Sequence, residues 1–188
     1  MKTVIHMIVT LFVLGLVAGG LLSQVSLWAD PLIATNKQKV TEEAIYIVQP
    51  STAKTYEKVS LKDLEVYKVF DEAKQHLGYS MAYEGNGFQG KIRVMVGLSP
   101  DLEKITKIEV LEQVETPGLG TKVTESHYKD QFKELITNPN LGWVKEGTEP
   151  KENEIVAITG ATISSKSVVA IINDGLKKLK SYKSGGSL

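Results

Sequence analysis

The sequence predicts an α+β protein: a single N-terminal transmembrane helix followed by an antiparallel sheet domain with packed helices. Three stretches carry that expectation. Residues 4–22 run for 19 positions without an Asp, Glu, Lys or Arg. Residues 91–98 (K-I-R-V-M-V-G-L) alternate, placing Ile92, Val94, Val96 and Leu98 on one face of a strand. Near the C-terminus Val168, Val169, Ile172, Leu176 and Leu179 recur at helical spacing.

The membrane helix comes first. At about 1.5 Å per residue the apolar run would span roughly 28 Å, close to the hydrocarbon thickness of a bilayer. Trp28 supplies an interfacial aromatic at its far end. The run is longer than the apolar region of a cleaved signal peptide, and Leu27-Trp28-Ala29 is a poor cleavage context. A retained anchor over residues 1–29 is therefore expected. Lys2 precedes the span and the next basic residue is Lys37, so the positive-inside bias puts the domain on the outer face. Gly15 and Gly19 form a G-x-x-x-G that would admit a neighbouring helix, although small residues are common in membrane helices anyway.

Residues 30–60 read as a stalk and entry segment, with a helix around residues 36–46. Residues 61–188 read as the folded domain. Within it, residues 64–70 and 77–84 alternate as strands on either side of a turn at 71–76. Residues 91–98 and 105–111 form a hairpin across Ser99-Pro100-Asp101. Residues 126–136 suggest an amphipathic helix with Tyr128, Phe132, Leu135 and Ile136 inward. Trp143 and residues 154–158 offer further strand, and residues 165–182 form the last helix.

Composition narrows the function. With 22 basic and 22 acidic residues the chain has no cationic excess for neutralising phosphates, so nucleic acid is not an expected partner. Zero cysteines exclude disulfides, thiolate metal sites and thiol catalysis. His6, His76 and His127 lack ligand spacing, so no metal site is expected. No nucleophile–base pair stands out, and no catalytic residue is assigned. Residues 85–90 (G-N-G-F-Q-G) match G-x-G-x-x-G by letter. A strand follows them rather than a helix, so they read as a hairpin turn and not a dinucleotide loop.

Two motifs carry chemistry. In Glu115-Thr116-Pro117-Gly118-Leu119-Gly120, Pro followed by Gly suits a type II turn, and the glycines would let a flat ligand approach exposed amides. In Ile158-Thr159-Gly160-Ala161-Thr162-Ile163-Ser164-Ser165, Ser164 or Ser165 would cap the last helix. Four hydroxyl residues exceed what a cap requires, and a helix start suits phosphate. A Thr hydroxyl there could bind phosphate non-covalently or be esterified by it.

The pair E-T-P-G-L-G and T-G-A-T-I-S-S, about forty residues apart, resembles the FMN-binding domain family. Within it the chain is similar to the G subunits of Rnf electron transport complexes. The relatives of those proteins are the C subunits of sodium-pumping NADH–quinone reductases. The resemblance covers anchor, stalk, the G-x-G-F-x-G-x-I hairpin and both motifs. It implies a covalent FMN, joined by a separate flavin transferase through a phosphoester to Thr162. Thr159, Gly160, Ala161, Ser164 and Ser165 would surround the phosphate, and Glu115 to Gly120 would line the ring. It further implies an electron carrier at the inner (plasma) membrane, with the domain on the extracytoplasmic side. Its partners would be the membrane, iron–sulfur and flavin subunits of an ion-translocating ferredoxin–NAD oxidoreductase. The position six before Thr162, where the family usually carries Asp, is Val156, with Glu154 nearby. Three alternatives stand beside this reading: a carrier of the NADH–quinone reductase type, a flavin-dependent reductase of a small substrate, and a flavin-free tethered binding module.

Overall fold

The computed structural model describes residues 2–186 and residue 188. The chain divides into two compact units, Met1–Val40 and Thr41–Leu188. Helix α1 (Lys2–Ile47) is continuous over 46 residues and is long and apolar enough to cross a membrane, with a mean hydropathy of 2.4 in its most apolar stretch. Pro31 lies inside it. Proline removes a single amide from the ladder, and the Thr35 hydroxyl donates to the Pro31 carbonyl (2.9 Å). The stalk helix expected around residues 36–46 is thus the continuation of the first helix.

The second unit is built on a five-stranded antiparallel meander, in spatial order β1 (Thr55–Ser60), β2 (Glu65–Phe70), β3 (His76–Asn86), β4 (Lys91–Leu98) and β5 (Ile105–Gln113). Period-two alternation sends side chains to both faces. One face gathers Val66, Met81, Ile92, Val94, Val96, Leu98 and Ile108 beneath helix α3 (Thr162–Ser184), whose Val168, Ile172, Leu176 and Leu179 complete that core. The other face gathers Tyr67, Val69, Ala82 and Met95 against Ala44, Ile45 and Val48 from the last turns of α1 and just beyond it.

Residues 41–60, expected to be stalk, therefore belong to this unit. Thr41, Ala44, Ile45, Val48 and Gln49 are buried, and β1 pairs with β2 from Thr55↔Phe70 to Ser60↔Glu65. The edge strand escapes a sequence reading because its burial pattern leaves only Tyr56 and Val59 partly covered.

One other expectation changes. The helix expected over 126–136 stops after α2 (Ser126–Lys129) and a 3-10 turn at Asp130–Phe132. Lys133 is extended and Glu134 takes φ +60, because this segment joins the sheet. Glu134 N–H donates to Ile105 O (2.8 Å), and Ile105 N–H donates to Leu135 O (3.0 Å). Tyr128, Phe132 and Leu135 are buried as expected; Ile136 is half-buried. Strands β6 (Gly142–Val144) and β7 (Glu154–Val156) form a separate parallel pair.

One buried cation ties the end of α1 to the sheet. Arg93, 8% exposed, donates to Thr41 Oγ1 (3.0 Å) and Glu65 Oε2 (2.7 Å), and the Tyr67 hydroxyl donates to Glu65 Oε1 (2.7 Å). Burial pushes the Glu65 carboxyl up, but the bonds from Tyr67 and Arg93 outweigh it and hold the group below its ordinary value. A carboxyl lowered by folding stabilises the folded state above its unfolded pKa, and that contribution is lost as pH falls through the folded value. Glu65→Gln should therefore lower the urea midpoint of the detergent-solubilised chain at neutral pH. The deficit should shrink by about pH 3, where a free Glu is already protonated. A deficit that persists undiminished in acid would assign the loss to packing instead of charge.

Candidate functional site

Three segments meet at the start of α3. The first is the turn between β3 and β4, closed by Gly87 N–H donating to Gly90 O (2.6 Å). The second is the loop after β5. There Leu119 N–H donates to Thr116 O (3.2 Å) across Pro117 and Gly118, and Gly118 takes φ +74, as a type II turn requires. The third is the segment from β7 into α3.

Glu115 joins all three. It is 3% exposed, and its Oε1 accepts the backbone N–H groups of Phe88 (2.8 Å) and Gln89 (3.1 Å). Its Oε2 accepts the Ser164 hydroxyl (2.5 Å). The packing leaves no room for a methyl. A Cβ on Gly87 would lie 2.3 Å from Glu115 Oε1, and one on Gly120 would lie 2.8 Å from Ser164 Oγ.

The helix start differs from the sequence expectation. Neither serine is the cap: α3 begins at Thr162, and Ala161 occupies the cap position without a side-chain bond. Ser164 is held by Glu115. Ser165, fully buried, accepts Ile158 N–H (3.1 Å) and donates to Ala161 O (3.1 Å), while the Tyr128 hydroxyl donates to its carbonyl (3.1 Å). Thr159 donates to the Glu146 carboxylate. Among the described residues, Thr162 is the one hydroxyl of the motif that meets no hydrogen-bond partner. Gly160, at φ +81, turns the chain into the helix where an L side chain would be strained.

A cavity of about 300 Å³ opens at Thr162. Its apolar walls are Phe88, Leu119 and Ile163, which are 59%, 47% and 54% exposed. Thr116, Gly120, Gly160, Ala161 and Ser164 complete the lining. Of the residues singled out by sequence, Pro117 and Gly118 shape the turn from its exposed side, and Glu115 and Ser165 form the framework behind the cavity. Phe88 and Ile163 went unassigned. An aromatic between glycines at a turn tip, with no core to enter, was the available signal for Phe88.

The arrangement suits a flavin mononucleotide. Uncapped first-turn amides favour an anion, and apolar walls suit a fused aromatic ring. The cavity stands at the small end of ligand pockets, which begin at about 300 Å³, so a bound ring would keep an exposed edge. Val156 lies in β7 with its backbone bracketed by Gln131, whose Oε1 accepts Val156 N–H (2.8 Å) and whose Nε2 donates to Val156 O (3.3 Å). It lines a neighbouring cavity of about 510 Å³ together with Thr159 and Glu146. Glu154 does not replace the missing acid there, because its carboxylate turns to Lys151 N–H (3.0 Å).

Comparison with known proteins accords with this geometry. Residues 87–177 match the FMN-binding domain family. The G subunit of the ion-translocating oxidoreductase complex of Methanosarcina acetivorans is 29% identical over 184 residues, covering 93% of this chain and 94% of that protein. The G subunit of the Na⁺-translocating ferredoxin:NAD⁺ oxidoreductase complex of Acetobacterium woodii is 41% identical over 88 residues, covering 47% and 42%. Among solved structures, the C subunit of the Na⁺-translocating NADH-quinone reductase of Parabacteroides distasonis superposes with a TM-score of 0.54 at 25% identity, covering 60% of this chain and 59% of that one. NqrC of Shewanella oneidensis gives 0.56 at 24%, covering 74% and 73%, and shares the fold. The segment 87–177 is thus similar to the FMN-binding domain family, within a chain similar over nearly its whole length to the G component of an ion-translocating oxidoreductase.

Proposed function

We propose that this chain is the membrane-anchored electron carrier of an Rnf-type, ion-translocating ferredoxin:NAD⁺ oxidoreductase, with FMN joined by a phosphoester to Thr162. The observation that carries this reading is the free Thr162 hydroxyl, at the first position of an uncapped helix and facing an apolar-walled cavity. Thr159, Ser164 and Ser165 are each engaged elsewhere. The first-turn amides of α3 would hold the phosphate, and Phe88, Leu119 and Ile163 would exclude water from the ring. Bound flavin supplies one- and two-electron chemistry that no side chain here can provide. The exposed ring edge would face the flavin and iron–sulfur subunits of the complex. Residues up to about 29 would cross the plasma membrane, with the domain outside. A covalent link would then keep the cofactor from diffusing away.

The test is flavin fluorescence of the denatured protein on a gel, after expression with and without a flavin transferase, followed by peptide mass mapping. A fluorescent band that needs the transferase and maps to Thr162 supports the proposal. A dark band with an active transferase overturns it and favours a flavin-free tethered module.

A further inference from the structure

Glu115 belongs to the loop that would line the ring, yet it has no open face to offer a ligand. It is 3% exposed, and both carboxylate oxygens accept bonds from the protein. Two of its three donors are consecutive amides at the tip of the β3–β4 turn. Strand pairing there ends at Asn86↔Lys91, and the turn closes on itself through Gly87 and Gly90. The tip carries Phe88, a wall of the cavity, and its hydrogen-bonded tie to α3 runs through Glu115 to Ser164. Gly87 and Gly120 lie too close to Glu115 for any added side chain, so the carboxylate has one seat.

We propose that Glu115 is a positioning residue for the cofactor: it holds the Phe88 turn over the cavity and acts through Phe88, without touching the flavin. This rests on the assignment of Thr162 as the flavin carrier. The geometry also ranks substitutions. Gln keeps a carbonyl oxygen for Phe88 and Gln89, and presents an amide to a Ser164 hydroxyl that can turn to accept it. Ala removes all three bonds, and Asp is one methylene too short to reach both groups from the same backbone.

The experiment uses the full chain in detergent, loaded by co-expressed flavin transferase, with Glu115→Ala, Glu115→Gln, Phe88→Ala and the Glu115→Ala/Phe88→Ala pair. Covalent loading is read on denaturing gels. Exposure of the native flavin is read by iodide quenching of its emission. Glu115→Ala is expected to keep the fluorescent band while its quenching constant rises several-fold. Phe88→Ala should match that rise, the double variant should add little, and Glu115→Gln should stay near the wild type. Unchanged quenching in Glu115→Ala overturns the proposal, as do additive effects of the two single changes. Hydrogen exchange of the Phe88 and Gln89 amides supplies a readout that needs no flavin. Both should be protected in the wild type and in Glu115→Gln, and unprotected wild-type amides overturn the proposal even if Glu115→Ala fails to fold. A dark wild-type gel band with protected amides would instead reject the flavin assignment and leave the tether standing.

Discussion

Thr162→Val is expected to yield a folded chain with no covalently held flavin. The hydroxyl makes no hydrogen bond and the side chain is half-buried, so replacing Oγ1 by a methyl leaves no partner unsatisfied. Valine has nearly the same shape and its helix propensity is similar to that of threonine, so the change in stability should stay within about 0.5 kcal/mol. The chemical effect is all or none. On the proposed reading, attachment would form a bond between Oγ1 and the flavin-side phosphorus of an anhydride donor, expel the donor's other nucleotide half and release the hydroxyl proton; valine has no oxygen to contribute. Gel fluorescence should fall to background while the thermal midpoint holds. Two neighbouring hydroxyls test the specificity of the effect. Thr159→Val should keep the band, because Thr159 is bonded to Glu146 before the helix begins. Ser164→Ala should also keep it but should destabilise the chain by about 1–3 kcal/mol, since it leaves a buried Glu115 oxygen without its donor. A band that survives in Thr162→Val and maps to Thr159 would move the attachment site into the preceding loop.

The sequence was legible where one periodicity dominated. Ile92, Val94, Val96 and Leu98 all enter the same core, and the strand they define runs over Lys91–Leu98 as read. The Pro117–Gly118 turn was legible too, because φ values near those of proline and a left-handed glycine leave few alternatives. What could not be read depends on distant partners. Residues 126–136 have helical spacing, but the backbone of residues 134–136 pairs with the start of β5, and long-range hydrogen bonds overrode local preference there. Ser164 looked like a cap because the residue that binds its hydroxyl lies 49 positions earlier. The same separation hid the role of Glu115, which read as ring-lining from its motif and sits behind the cavity instead. Residues 41–60 looked like a stalk because the surface that buries Ala44, Ile45 and Val48, the second face of the sheet around Val69 and Met95, lies more than twenty positions further along the chain.

That second face supplies the other large expected effect. Gly97→Ala should destabilise the chain by about 3 kcal/mol or more, at the upper end of overpacking penalties. A Cβ at this position would lie 2.0 Å from Val48 O, 2.8 Å from Val48 C and 2.3 Å from Thr106 Oγ1. Flexible side chains can yield to such a contact, but here the obstacle is a backbone carbonyl held from several sides. Thr106 Oγ1 donates to it (2.5 Å), Val48 N–H donates to Ala44 O (3.2 Å), and the Ser80 hydroxyl donates to Ile45 O (2.9 Å). Gln49 fixes the next residue by donating to Tyr79 O (2.8 Å). Relief requires the end of α1 to lift, which would uncover Ile45, Val48 and Met95 together. Gly118→Ala is the matched control. It meets nothing within 4 Å and bears only the strain of φ +74, which costs about 1 kcal/mol. Urea denaturation should therefore rank Gly97→Ala well below Gly118→Ala, and limited proteolysis should open the segment after residue 48 in the former alone. Because α3 and the Thr162 cavity lie on the opposite face, Gly97→Ala protein that does fold should still take up covalent flavin. Equal midpoints for the two variants would mean that Val48 has freedom to move aside. Loss of flavin from folded Gly97→Ala protein would mean that the two faces of the sheet are coupled.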